Sequence, residues 1–413
     1  MKTIVIAGAG IAGLASAIHL HRQGHRVMVF EHVTDPTPVG AGILLQPSGQ
    51  VQLARLGLLE QVESLAARVQ SLQGYSGAWR TLDLHYQDVD HAWYGLGVHR
   101  ANLHAVLWQA ARELGISIQT GMAIEGFQQD AQAVVVDVKH GKQSDSLRAD
   151  ALVIANGTRS HLRELLPIVQ SYRPYPWGAF WSVLDLERWD FPDILMQHYR
   201  GASIMAGMLP TGRNPSTGKT CYSLFWSLPR AQFSLYQEQG WPGLIRRIEQ
   251  VWPEVAQILA QQHPSISSDE VSDQTLGKSI AIAEYADVRL KAYHHQRVVV
   301  LGDAAHAMSP QLGQGANMAL IDAAVLAECL ERHDDVVPAF QQFTERRRRH
   351  MAYYQMASKW MTPLYQSHYP IGFMRDLGTS LGRRIPFLYK QYLLTLCGAK
   401  QGLFDWRAKL DTL

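Results

Sequence analysis

Four apolar residues, Ile4 to Ala7, precede glycines at 8, 10 and 13, and Leu14, Ile18 and Leu20 then recur at helical spacing. A second apolar run, Val27 to Phe30, ends in Glu31. Short unbroken apolar runs on either side of an amphipathic segment predict strand–helix–strand over residues 3–31, with both strands buried in a parallel sheet. The Gly- and Pro-rich stretch from Pro36 to Gly49 predicts a loop. Leu53, Leu56, Leu59 and Val62 predict one helix over residues 51–66. Residues 72–98 alternate apolar and polar and carry Tyr75, Trp79, Tyr86, Trp93 and Tyr94, the pattern of antiparallel strands. A helix is expected over 100–114, strands at 116–120 and 124–138, and a buried parallel strand at 151–155. Residues 172–228 are strand-rich with a turn at 212–218, and residues 230–262 read as helical. Val298 to Leu301 forms a buried strand ending in Gly302-Asp303, and a helix covers 315–331. The tail from Pro338 is helical, with breaks expected at Pro363, Pro370 and Pro386.

This order predicts an α/β fold in which a parallel-sheet domain is interleaved with an antiparallel-sheet domain and followed by a helical carboxy-terminal segment. The expected boundaries are 1–71, 99–171 and 286–335 for the first domain, 72–98 and 172–285 for the second, and 336–413 for the helical region.

The glycine spacing carries chemistry. Gly8, Gly10 and Gly13 between a strand and a helix let the chain turn tightly, approach a pyrophosphate and pack helix on strand. Ala12 lies in the same turn. The helix amino end offers free N–H groups and the positive end of its dipole. Glu31 follows at the distance of a ribose-binding acid. It would accept from a 2′-hydroxyl and repel a 2′-phosphate, so the tightly held nucleotide is the adenosine end of FAD or NAD, not NADP.

Composition narrows the rest. The 413 residues are 47% hydrophobic and 18% charged, with a net charge of +2. Bulk electrostatics therefore implies neither a nucleic-acid partner nor an anionic membrane surface, and no apolar run reaches membrane-spanning length. Met1-Lys2 leads straight into the first expected strand, so no signal peptide is expected and the compartment is read as cytoplasmic. Cys221, Cys329 and Cys397 are far apart and show no metal spacing, the pattern of reduced, partly buried thiols. The run Arg346 to Arg349 covers every face of a helix and reads as solvated charge.

A second motif spans Leu301 to Asn317. It has a strand end, the Gly302-Asp303 turn, His306, Pro310 and then Gly313-Gln314-Gly315-Ala316-Asn317 at a helix start. Asp303 can accept from a sugar or ribityl hydroxyl, and the amides of 313–317 can stabilise negative charge above a helix amino end. His306 reads as a structural hydrogen-bonder before it reads as a base.

With these motifs the chain resembles the single-component, group A FAD-dependent aromatic hydroxylases of the para-hydroxybenzoate hydroxylase type. The resemblance rests on Gly8-x-Gly10-x-x-Gly13 with Glu31, Arg100 preceding Leu103, Gly302-Asp303-Ala-Ala-His306 and Pro310-x-x-Gly-Gln-Gly315, and runs over nearly the whole chain. It implies that the first domain is a Rossmann-like FAD-binding domain and the second a substrate domain. Tightly bound, non-covalent FAD is implied, with NADPH or NADH as transient reductant and O2 as co-substrate. A flavin C4a-hydroperoxide would oxygenate a small aromatic or heteroaromatic substrate. By resemblance Glu31 holds the adenosine ribose, Arg100 contacts FAD and Ile124 lies by the adenine. Gly302 and Asp303 hold the ribityl or pyrophosphate region. Gly313 to Asn317 line the flavin, with Pro310 on its active face, and Gly40 to Gly42 match the segment beside which the flavin moves. Trp177, Phe180, Trp181, Met205, Phe225 and Trp226 are the candidate walls of the substrate site. No side chain need act as nucleophile or metal ligand, and a monomer or homodimer is expected. One departure stands out. The family carries an Asp-Gly pair where this chain has Asn156-Gly157, so a charge linked with nicotinamide binding is missing. An oxidase or dehydrogenase without oxygen insertion is the alternative, with a flavin-dependent halogenase behind it because 177–181 lacks that family's Trp-x-Trp-x-Ile-Pro motif.

Overall fold

The computed structural model describes residues 1–36, 42–262, 281–406 and 410. At its centre is a six-stranded sheet in the order His294–His295, Val298–Val300, Ala151–Ile154, Thr3–Ala7, Arg26–Glu31, Ser117–Thr120, parallel except at its first pair. Ile4, Val5 and Ile6 pair with Ala151, Leu152 and Val153 on one side and with Val27, Met28 and Val29 on the other. The helix Ile11–Arg22 packs on Thr3–Ala7 and Arg26–Glu31, and a three-stranded antiparallel sheet, Ala123–Gln129, Val134–His140 and Gln143–Ala149, also packs on the central strands, so the inner strands can be apolar throughout. The helices Ile11–Arg22 and Gly315–Glu331 pack against each other, and the second is buried along nearly its whole length.

The second layer is a seven-stranded sheet, antiparallel except where Ser71–Ser76 runs parallel to Ile194–Arg200, that draws Ser71–Ser76 and Trp79–His85 from early in the chain to join Gln170–Asp185, Ile194–Arg200, Ile204–Arg213, Thr220–Pro229 and Ala281–Leu290. One face meets the nucleotide-fold side. The other carries a separate core that includes Tyr236, Trp241 and Leu244 from the helix Phe233–Glu249, Leu259 from the helix Pro253–Gln262 and Trp252 between them.

Several local readings shift. The single helix expected over 51–66 is two, Pro47–Arg55 and Leu59–Leu65, because Gly57 takes φ +65° between them. The expected loop contains the strand Gly42–Leu45, which pairs with Gly95–His99. Residues 124–138 form a hairpin, joined by a third strand, Gln143–Ala149, that is too polar to have been read as one. Pro363 does not break its helix, which runs Val336–Tyr365; it removes the amide that would donate to Lys359 O, and the helix ends two residues later. Pro370 and Pro386 do lie at helix boundaries. All three cysteines are buried and free. Among the described residues no helix is long and apolar enough to cross a membrane, and no His, Cys, Asp and Glu cluster could hold a metal.

Candidate functional site

The first element of the site is a backbone turn that only glycine can build. Gly8 takes φ +101° and donates to Phe30 O at 2.8 Å, tying the turn to the second strand. A Cβ on Gly13 would lie 2.0 Å from Gly8 O, so helix and strand meet only because it is absent. The helix Ile11–Arg22 starts at Gly10 with no side-chain cap, leaving its first-turn amides for an outside acceptor. Glu31, nearly buried, accepts from Ala9 N through Oε2 and from Val33 N through Oε1, both at 2.9 Å. His104 contacts the same turn, with Nε2 2.8 Å from Ala9 O.

The second element begins where Val298–Val300 ends. Gly302 adopts φ +56°, and Asp303 opens a one-turn helix, Asp303–His306. Behind the turn lies Asp322, fully buried. It accepts from Gly302 N at 2.8 Å, His306 Nε2 at 2.6 Å and Arg347 Nε at 2.6 Å. Burial alone would raise its pKa, but His306 and Arg347 with these hydrogen bonds outweigh burial and hold the carboxyl below its usual range. Arg347 in turn donates to His350 Nδ1. Burial, then the neighbouring guanidinium, hold His350 well below its ordinary pKa. The reading of Arg346–Arg349 as solvated charge therefore fails for Arg347, which is sealed, while Arg346 pairs with Glu328 at 2.8 Å.

Both elements open onto one cavity of about 720 Å³. Gly10, Ile11, Ala12 and Arg100 form one end, Asp303, His306 and Pro310 a side, and Gly313 to Ala316 a second helix start. The helix Gly315–Glu331 likewise has no side-chain cap. Gly42 lines the cavity against the antiparallel sheet, where a Cβ would come 2.3 Å from Thr211 Cγ2. Gly40 and Ala41 lie outside the described residues.

The sheet supplies the far wall, and strand parity sorts the aromatic candidates. Trp181 pairs with Phe225 and both line the cavity, as does Met205. Phe180 pairs with Trp226 one position along, so both point to the opposite face and pack in the second core. Trp177 is buried against His368, ring centroids 4.5 Å apart, and does not reach the cavity. Three of the six proposed walls are thus corrected: Phe180 and Trp226 because register between distant strands decides which face is inward, and Trp177 because it lies too far along the strand although it shares the parity of Trp181. Glu31 and Ile124 also lie outside the cavity wall; the Ile124 carbonyl is 3.1 Å from His161 Nε2. Asn317 is fully engaged as a clamp, accepting from Gln46 N and donating to Leu44 O and Gly313 O.

Sequence reasoning missed Tyr285 and Gln366 as polar features. Tyr285 lines the cavity, its hydroxyl 3.3 Å from Trp181 Nε1, and burial lifts it to about 12, so it keeps its proton. Gln366 donates through Nε2 to Ser227 Oγ at 2.5 Å while its Oε1 is buried without a partner. Alternation along Ala281–Leu290 groups Tyr285 with Asp287 and Arg289 against the buried Ala286, Val288 and Leu290, so the pattern does not mark it. Nothing local marks Gln366, which follows the end of a long helix.

The residues present fit a flavin dinucleotide. Two uncapped helix amino ends face one space, suited to the pyrophosphate and to the electron-rich edge of a reduced ring. Gln311 Nε2, Gln314 Oε1 and Asn156 Oδ1 are buried with no partner, and buried polar atoms of this kind call for one.

Residues 1–334 match the family described as the FAD binding domain. A phenazine 1,6-dicarboxylic acid hydroxylase, PhzS, of Lysobacter antibioticus is 29% identical over 364 residues, covering 84% of this chain and 86% of its own. An aurachin C monooxygenase/isomerase of Stigmatella aurantiaca is 28% identical over 357 residues, covering 83% and 84%. The crystal structure of a Klebsiella pneumoniae HpxO variant complexed with FAD superposes with a TM-score of 0.78 at 19% identity, covering 96% of this chain and 99% of that one, a likeness of fold. The chain belongs to the FAD binding domain family, and FAD is its cofactor.

Proposed function

We propose that the protein takes electrons from NADH or NADPH and uses O2 to oxygenate a small aromatic or heteroaromatic substrate. The observation that carries this is the convergence of two uncapped helix amino ends and an aromatic sheet face on one cavity. The amides at Ile11 and Ala12 would hold the pyrophosphate, Glu31 the adenosine ribose and Asp303 the ribityl hydroxyls. Arg100 would reach the phosphates, and Ile124 would lie near the adenine. The amides of Gly313 to Ala316 would stabilise negative charge on the reduced ring, with Pro310 on its substrate side. FAD supplies the redox chemistry when bound.

The substrate would lie between Pro310 and the wall formed by Trp181, Met205 and Phe225. Gln366 Oε1 would accept from a ring hydroxyl, and the Tyr285 hydroxyl would donate to a ring substituent. The apolar wall keeps water from the reacting centre. The phenazine hydroxylase relative supports a fused heteroaromatic ring as the substrate class.

The test is NADH and NADPH consumption by the flavin-loaded enzyme with a library of phenolic and fused heteroaromatic compounds under ¹⁸O2. Stimulated consumption with ¹⁸O in the product supports the proposal. Turnover without label in any product supports the oxidase or dehydrogenase reading, which the neutral Asn156 favours.

A further inference from the structure

The carboxy-terminal helices show a surface the site does not use. The helix Gly372–Arg384 presents Phe373, Leu377 and Leu381 at i, i+4 and i+8, 65%, 55% and 48% exposed, with Met374 beside them. Ile385, Phe387 and Leu388 continue the apolar surface past the corner. Phe387 meets Trp406 at 5.3 Å between ring centroids, and Trp406 meets the exposed Phe404.

This face is held rigid from beneath. Arg375 is buried, donates to Gly201 O at 2.9 Å and lies 4.1 Å over the Tyr199 ring. A Cβ on Gly372 would come 2.5 Å from Gly201 C, so the helix start is seated on backbone. Arg383 Nη1 pairs with Asp83 Oδ2 at 2.7 Å. The exposed leucines are therefore fixed outward and cannot fold back.

Charge identifies the partner. Residues 377–404 contain no Asp or Glu but carry Arg383, Arg384, Lys390 and Lys400. Lys400 is buried, whereas Arg384 and Lys390 are exposed at the edge of the apolar face with no acidic partner among the described residues. In a two-fold dimer the same patch faces itself, so any acid these cations met across it would have to come from the same surface, and residues 377–404 offer none. An anionic lipid surface matches both features: apolar side chains enter the headgroup boundary while basic side chains meet phosphate. We infer that the face formed by Phe373, Leu377, Leu381 and Leu388, flanked by Arg384 and Lys390, seats the protein on an anionic membrane surface without spanning it.

The experiment is co-sedimentation of the FAD-loaded full chain with phosphatidylcholine vesicles and with phosphatidylcholine–phosphatidylglycerol vesicles, alongside sedimentation velocity without lipid. Binding to the phosphatidylglycerol vesicles, weakened by salt, is expected. It should fall by about tenfold or more in Arg384→Gln with Lys390→Gln, and be lost in Leu377→Ser with Leu381→Ser, while the visible flavin spectrum stays unchanged as a check on folding. No binding to anionic vesicles, or binding that survives both double variants, overturns the inference. So does a dimer that the leucine variant dissociates, because the face would then belong to a second copy.

Discussion

Arg347 Nε donates to Asp322 Oδ1 at 2.6 Å, and neither side chain reaches solvent. Asp322 also fixes the amide of Gly302, so this ion pair stands directly behind the turn that presents Asp303 to the cavity. Asp322→Asn keeps the shape but leaves a buried guanidinium uncompensated, which costs about 3–5 kcal/mol. Urea unfolding should register that loss, and flavin occupancy should fall with it. Asp322→Asn combined with Arg347→Met should recover part of the stability, since the stranded charge is then gone.

Glu31→Ala should weaken FAD retention by ~1.5–3 kcal/mol, the contribution of one charge-assisted hydrogen bond. Glu31 also accepts from Ala9 N, so the variant loosens the turn as well as the ribose contact. Glu31→Gln, which keeps an acceptor for that amide, should lose less. Equilibrium dialysis of FAD would separate the two; equal retention in wild type and Glu31→Ala would remove Glu31 from the site.

Neighbouring aromatic positions should behave in opposite ways. Trp181→Ala and Phe225→Ala open the cavity wall and should raise KM for the aromatic substrate several-fold. Phe180→Ala and Trp226→Ala empty the second core and should cost about 3–5 kcal/mol of stability with KM nearly unchanged. Steady-state kinetics paired with thermal unfolding distinguishes the two faces.

Asn156→Asp restores a charge beside Gly157 at the cavity rim. Anaerobic flavin reduction by NADH or NADPH should speed up, read by stopped-flow absorbance. The Asn156 Oδ1 position is buried without a partner, so the carboxylate should also lower the unfolding temperature. A reduction rate equal to wild type would mean that the amide already suffices.

Stability should fall on mild acidification. Burial holds His19 and His198 at about 4 instead of 6.5, with Arg22 and Arg55 adding to the shift at His19. The unfolded chain therefore binds more protons than the folded one as pH drops below the free-histidine value. The unfolding temperature should decline between about pH 7 and about pH 4.5. His198 is stacked between Tyr75 and Trp252, and His198→Phe should flatten that decline.

What the sequence reveals about the site divides along a physical line. Gly8, Gly13, Gly302 and Asp303 are legible because tight turns make demands on the residues at the turn itself. Trp181 and Phe180 are not separable by reading, because their inward or outward sense depends on pairing with a strand more than forty residues away and on which sheet face the 233–262 helices cover. Arg347 is equally hidden. Four consecutive arginines offer one to every direction, and the buried one is chosen by an acid on another helix. Asn156 is visible as a departure, but its unsatisfied oxygen becomes apparent only once the surrounding backbone is in place.

The Asp322–Arg347 pair also bears on how the chain can be divided. The family match stops at residue 334, thirteen positions short of the arginine that neutralises Asp322. A fragment cut at that limit would keep every nucleotide-facing glycine yet strand a carboxylate in the protein interior. The long helix Val336–Tyr365 is thus a structural part of the cofactor-binding unit, and chimeras that exchange it among relatives must carry the acid and the arginine together.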